Sequence, residues 1–223
     1  MRHGFFSLLV AVILMIVMPI AFANMLSAAL LKLNLQPQTA SIIVFGIFAG
    51  SLINIPVRRI VRSEPVMVDP LAVFGLHGVW PEMRRVRQET VIAVNVGGCV
   101  VPTALAIYEA WSLLSRGQAG GALALAVVVN VLVCYLLARP VKGVGITMPA
   151  LVPAAVAAGT ALLAAPAQAT PVAFVAGVFG PLVGADLLNL PIVERVESGM
   201  VSIGGAGTFD GILLSAIVAL YLA

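Results

Sequence analysis

Two aspartates, Asp186 and Asp210, lie inside stretches apolar enough to cross a membrane, and neither stretch contains a lysine or arginine. Placing one carboxylate in a bilayer interior costs at least about 2.5–3.5 kcal/mol on insertion scales, so such a residue reads as functional by default. Two without a cation are less expected still. If close together they must share a proton, hold a cation, or exchange protons with water as part of a cycle.

Their depths match. Asp186 lies four residues before the end of an expected span at 172–190, and Asp210 about six residues into one at 204–223. At 1.5 Å per residue these depths are roughly 6 and 9 Å, so an antiparallel hairpin joined through 191–203 can bring the carboxyl groups together. Asn189 falls at i+3 from Asp186, on the same helix face. Asn95, Asn54 and Thr147 enter at a similar level, with Thr208 just before Asp210. Gly184, Gly207 and Gly211 punctuate that level too. Small residues at four-residue spacing pack helices closely, and breaks in helices expose backbone groups to a polar cavity; the glycines fit both readings. Asp186 and Asp210 are the candidate catalytic residues, with Asn95, Asn189, Thr208, Gly184, Gly207, Gly211 and Asn54 as supporting or substrate-binding ones. No metal site is expected.

The elements that must position these residues follow from composition. The 223 residues are 61% hydrophobic and 9% charged, with a mean hydropathy of +1.13, which excludes an ordinary soluble domain. Apolar runs of spanning length occur at about 5–23, 39–55, 90–112, 121–138, 146–164, 172–190 and 204–223. The expected fold is all-α: one polytopic helical bundle over residues 1–223 with about seven transmembrane helices, since the alternation of a membrane β-barrel is missing. Arg2, Arg58, Arg59, Arg62, Arg84, Arg85, Arg87, Arg139, Lys142 and Arg195 then share one side, against Lys32 and Arg116 on the other. The positive-inside rule makes that N-in and C-out. Arg2 and His3 before an apolar core ending Ala21-Phe22-Ala23 also fit a cleaved signal peptide, which leaves the later helices oriented as before.

The loop at about 56–89 is basic and expected at the cytoplasmic surface, near anionic headgroups, with His77 and Trp80 in a surface-lying or re-entrant segment. Glu109, beside Tyr108 and Trp111, reads as an interfacial residue. Cys99 and Cys134 sit in apolar runs and read as small core residues.

The stretches "NIPV" (54–57), "VIAVNVGGCVVP" (91–102), "GADLLNL" (184–190) and "GGAGTFDGILL" (204–214) resemble those of an uncharacterised family of prokaryotic polytopic membrane proteins, a domain of unknown function. That resemblance implies a fold and no chemistry; the expected location is a prokaryotic cytoplasmic (inner) membrane. A weaker similarity is to the intramembrane aspartyl proteases, presenilin-like and prepilin-peptidase-like. Their Gly-x-Gly-Asp motif is matched only by Val183-Gly184-Ala185-Asp186, and the Pro-Ala-Leu triplet at 149–151 precedes the aspartates instead of following them.

Three functions stay open: an intramembrane aspartyl-type peptidase cutting a membrane-protein segment near the cytoplasmic leaflet, a proton- or cation-coupled transporter of a small solute, and a non-catalytic scaffold or chaperone. No nucleophile elbow, zinc motif, phosphate loop or dinucleotide fingerprint is present. No cofactor is expected; the lipid bilayer is the expected partner, and nucleic acid is not.

Overall fold

A computed structural model describes residues 2–68, 82–141, 145–149, 151–193, 200–205 and 210–223. His77, Trp80, Gly207 and Thr208 lie outside the described residues. The chain is mostly helical, in the order α1 (Arg2–Leu31), α2 (Pro37–Gly50), β1 (Asn54–Val68), β2 (Glu82–Asn95), α3 (Val101–Ser115), α4 (Gly120–Leu137), β3 (Arg139–Val141), β4 (Gly145–Thr147), α5 (Leu151–Ala164), α6 (Ala169–Phe179), α7 (Leu190–Val193), β5 (Met200–Ile203) and α8 (Gly211–Leu222). Wider π turns run over Val96–Val100, into α3, and over Gly180–Leu187, out of α6.

Among the described residues, three helical stretches are long and apolar enough to cross a membrane: Val96–Ser115, Gly120–Leu137 and Pro166–Ile192. α6 is the hub. Val172 to Val178 are all buried, and α3, α4, α5 and α8 pack around them. A helix apolar on every side belongs in the centre. α5 offers it Ala154, Ala157, Ala158 and Ala161, small side chains that let backbones approach. The bundle's outward surface is apolar too, with Phe45, Trp111, Leu136 and Leu163 each more than 70% exposed. That distribution suits lipid, not water.

Both ends of the bundle are tied. At one end Lys32 Nζ donates to the carbonyls of Leu220 (2.9 Å) and Tyr221 (3.3 Å), and the Tyr221 hydroxyl donates to the Met25 carbonyl at 2.7 Å. A cation there satisfies carbonyls that the end of α8 leaves unpaired. The other end carries a sheet.

The sheet corrects the all-α expectation. β1 and β2 form a long antiparallel hairpin, with Asn54 opposite Asn95 and Val68 opposite Glu82, and β5 adds parallel to β2, pairing Val91 with Met200 and Val94 with Ile203. The order is β1-β2-β5. Most of the basic loop at 56–89 is therefore strand, and the expected span at 90–112 begins only after Asn95. β-branched Val91, Ile92 and Val94 suit a strand. Asn95, fully buried, then stops the sheet: its side-chain oxygen accepts from Gly98 N–H at 2.7 Å, and its amide donates to Ser51 O (2.8 Å) and Asn54 Oδ1 (3.1 Å). Ser202 Oγ donates to the same Asn54 oxygen at 2.8 Å. One polar knot joins β1, β2, β5 and the end of α2.

The span expected at 204–223 is also corrected. Gly204 and Gly205 adopt left-handed φ of 81° and 63°, which no helix continues. α8 starts at Gly211, so Asp210 precedes the helix rather than lying inside it.

Candidate functional site

At the sheet end of the bundle, the side chains of Asp186 and Asp210 line one cavity of about 260 Å³, with Thr147, Met148, Pro181 and Ile212 among its other walls. Each aspartate is held where regular helix stops, and the causes are local.

Asp186 sits on the π turn Gly180–Leu187. Pro181 has no N–H to give to the carbonyl of Gly177, so the α-helical ladder cannot pass through it, and the widened turn re-pairs further on, Leu188 N–H donating to Val183 O at 3.0 Å. π turns of this kind occur often at functional sites. Gly184 and Gly180 press this turn onto α4. A Cβ on Gly184 would collide with the Val131 carbonyl, and one on Gly180 with the Asn130 side chain. Asn130 itself is fully buried and donates to the Ala176 carbonyl at 2.7 Å. Asn189 Nδ2 closes the turn, donating to Gly184 O and Ala185 O, each at 3.0 Å.

Asp210 is the N-cap of α8. Its backbone is extended (φ −77°, ψ 154°) and Oδ2 accepts from Ile212 N–H at 3.0 Å, the usual way a side chain satisfies a free donor at a helix start. The helix dipole favours a negative group at this position.

The Gly204-Gly205 turn lies between the two. The Gly204 backbone and Asp210 are both near enough to act on Asp186 electrostatically. A Cβ on Gly204 would lie 2.5 Å from Cys99 Cβ and 2.7 Å from Cys99 N, and one on Gly205 2.7 Å from Asp210 Oδ1. Side chains are thus excluded from both faces of the turn. Cys99 and Cys134, both free and buried, back the site from the β2–α3 junction and from α4. Thr103 Oγ1 and Ser215 Oγ are buried without a hydrogen-bond partner among the described residues.

The structure therefore brings Asp186 and Asp210 to one cavity, with Asn189 and Gly184 shaping the turn beneath Asp186 and Gly211 lining the wall beside Asp210. Asn95 and Asn54 stand apart. Their hydrogen bonds are those of the sheet knot, and among the described residues neither bonds to an aspartate. Among the described residues no cluster of three or more His, Cys, Asp or Glu could hold a metal ion. Sequence reasoning missed Asn130, although an asparagine in the middle of an apolar span is itself a signal.

One carboxylate on a widened helical turn and one at a helix start, inside a bundle with an apolar exterior, define an apolar helical protein with a polar recess at one end. The chain belongs to the family described as "Protein of unknown function (DUF1614)", whose profile matches residues 48–222 and so includes both aspartates. No match was found among curated proteins or among solved structures.

Proposed function

We propose that the chain is an intramembrane hydrolase of the aspartyl type, acting on a peptide segment near the cytoplasmic face of a prokaryotic inner membrane. The observation that carries the reading is the convergence of Asp186 and Asp210 on one cavity. Hydrolysis by two carboxyls needs one ionised, to activate water, and one protonated, to polarise the carbonyl; neighbouring carboxyls divide a proton between them in this way. Their supports differ. Asp210 accepts a backbone N–H at a helix N-terminus, whereas Asp186 sits on the widened turn Gly180–Leu187.

An extended substrate has an edge to lie against. β5 is an edge strand of the sheet and leads directly into the Gly204-Gly205 turn, so a peptide adding to it would run toward the aspartates by main-chain pairing. In this reading the chain crosses the membrane seven times, N-in and C-out. Supporting it, Arg58, Arg59 and Arg139 belong to strands at the sheet end, while Lys32 and Arg116 line a cavity at the opposite end.

One observation favours a second reading, a cation- or proton-coupled transporter: both aspartates stand where regular α-helix stops, Asp186 on the π turn out of α6 and Asp210 at the N-cap of α8, as coupling groups do at helix breaks in transport sites. Reconstitution separates the two. Proteoliposomes containing the wild type should cleave co-reconstituted transmembrane peptides, detected by mass spectrometry, and Asp186→Asn or Asp210→Asn should each abolish cleavage while leaving a folded protein. Gradient-driven solute uptake lost in the same variants, without cleavage, would establish the transporter instead. Full function in both variants would leave the aspartates a structural role only.

A further inference from the structure

The end of the bundle opposite the sheet holds a second recess, about 360 Å³, lined by Lys32, Asn34, Tyr108, Glu109, Arg116 and Gln168 among others. This volume falls in the ordinary range for small-ligand sites, about 300–1,000 Å³. Glu109 is the informative residue. It is only 7% exposed, lines the recess, and among the described residues has neither a hydrogen bond nor an ion pair. Arg116 acts on it electrostatically without closing a salt bridge. Its carboxylate oxygens are not among the fully buried unpartnered atoms, so they open onto the recess, where a ligand's donor can reach them.

The recess does not end in water alone. A groove of about 400 Å³, lined by Ile43, Leu105 and Thr39, adjoins it and shares Asn34, Leu35 and Tyr108 with it. Tyr108, Trp111 and Tyr221 are exposed around this end, the position aromatic side chains take at a membrane–water boundary. The ligand that fits has a polar head and an apolar tail. Its head must offer an N–H cation to Glu109 and an anionic group to Arg116, with Lys32 largely committed to the α8 carbonyls.

We propose that this recess and groove bind a phospholipid whose headgroup carries a primary ammonium, with the ammonium on Glu109, the phosphate toward Arg116, and an acyl chain along Ile43 and Leu105. Such a site is independent of the aspartates and of any activity they have. It would anchor the junction of α1, α2 and α3 against the membrane surface.

Native mass spectrometry on delipidated protein tests this. The wild type is offered phosphatidylethanolamine, phosphatidylglycerol and phosphatidylcholine in equal amounts; the ethanolamine lipid should be retained about tenfold over the other two, the difference expected from one charge-assisted hydrogen bond. Phosphatidylcholine is the strict control, because its ammonium has no N–H. Glu109→Gln should remove the preference, and Leu105→Trp, which fills the groove and leaves Glu109 intact, should weaken retention of every lipid. Equal retention of all three lipids by the wild type, or an unchanged preference in Glu109→Gln, overturns the proposal. If Glu109→Gln does not fold, unaltered retention in Leu105→Trp overturns it. Competition by water-soluble glycerophosphoethanolamine as effective as by the lipid would keep the headgroup chemistry but refute a lipid as its source.

Discussion

Replacing Gly204 by alanine should damage the recess from two directions at once. Its φ of 81° is left-handed, which costs an L-residue about 1–2 kcal/mol. The new methyl would also stand 2.5 Å from Cys99 Cβ, 2.7 Å from Cys99 N and 2.9 Å from Gly98 C. Two of those neighbours are backbone and cannot rotate away, so overpacking adds about 1–3 kcal/mol. The sum, about 2–5 kcal/mol, lowers the melting temperature of a chain this size by at least about 4 °C. Relief by shifting the turn would move the Gly204 backbone relative to Asp186, which it is near enough to affect, so any activity should fall further than stability alone explains. Gly211→Ala is the matched control: it is only seven positions away, at the first turn of α8, with nothing within 4 Å of the added Cβ. That change should be neutral or stabilising by up to about 1 kcal/mol. Thermal unfolding in detergent compares the two. Melting of both variants within about 1 °C of the wild type would refute the described turn.

Other expectations follow from single contacts. Asn130→Ala removes the 2.7 Å bond to Ala176 O in a buried site and should cost about 1–3 kcal/mol, read by the same thermal assay. Asn95→Ala breaks three bonds of the sheet knot and should speed amide exchange over 91–98, while the α4 amides remain protected. Lys32→Met should loosen the end of α8 by about 0.5–1.5 kcal/mol, seen as faster exchange confined to its last turn.

Much of the helical layout was legible because lipid-facing and core-facing residues are both apolar here, so long hydrophobic runs mark helices directly. α4, expected at 121–138, is observed at Gly120–Leu137. The same uniformity hid the sheet. Val91 to Val94 lie close before the apolar α3, separated from it only by Asn95 to Val100, and periodicity cannot separate a short buried strand from a helix segment. Asp210 could have been read better: an aspartate between a glycine-rich run and an apolar helix has the pattern of an N-cap. Glu109 could not. Its neighbours Tyr108 and Trp111 are exposed, as an interfacial position requires, yet its own side chain turns inward to the recess, a choice made by tertiary packing. That Asp186 and Asp210 share a level came from counting residues; that the π turn and the Gly204-Gly205 turn hold them there needed coordinates.

The central claim is that Asp186 and Asp210 act together on a peptide, and the most direct measurement is capture of a photoreactive peptide isostere carrying a hydroxyl in place of the scissile amide. Such a probe mimics the tetrahedral intermediate and binds tightly only where both carboxyls face it. Labelling is expected of the wild type and of Glu109→Gln, with loss of labelling in Asp186→Asn and in Asp210→Asn. Equal labelling of all four proteins, or labelling that survives the loss of either aspartate, would contradict it.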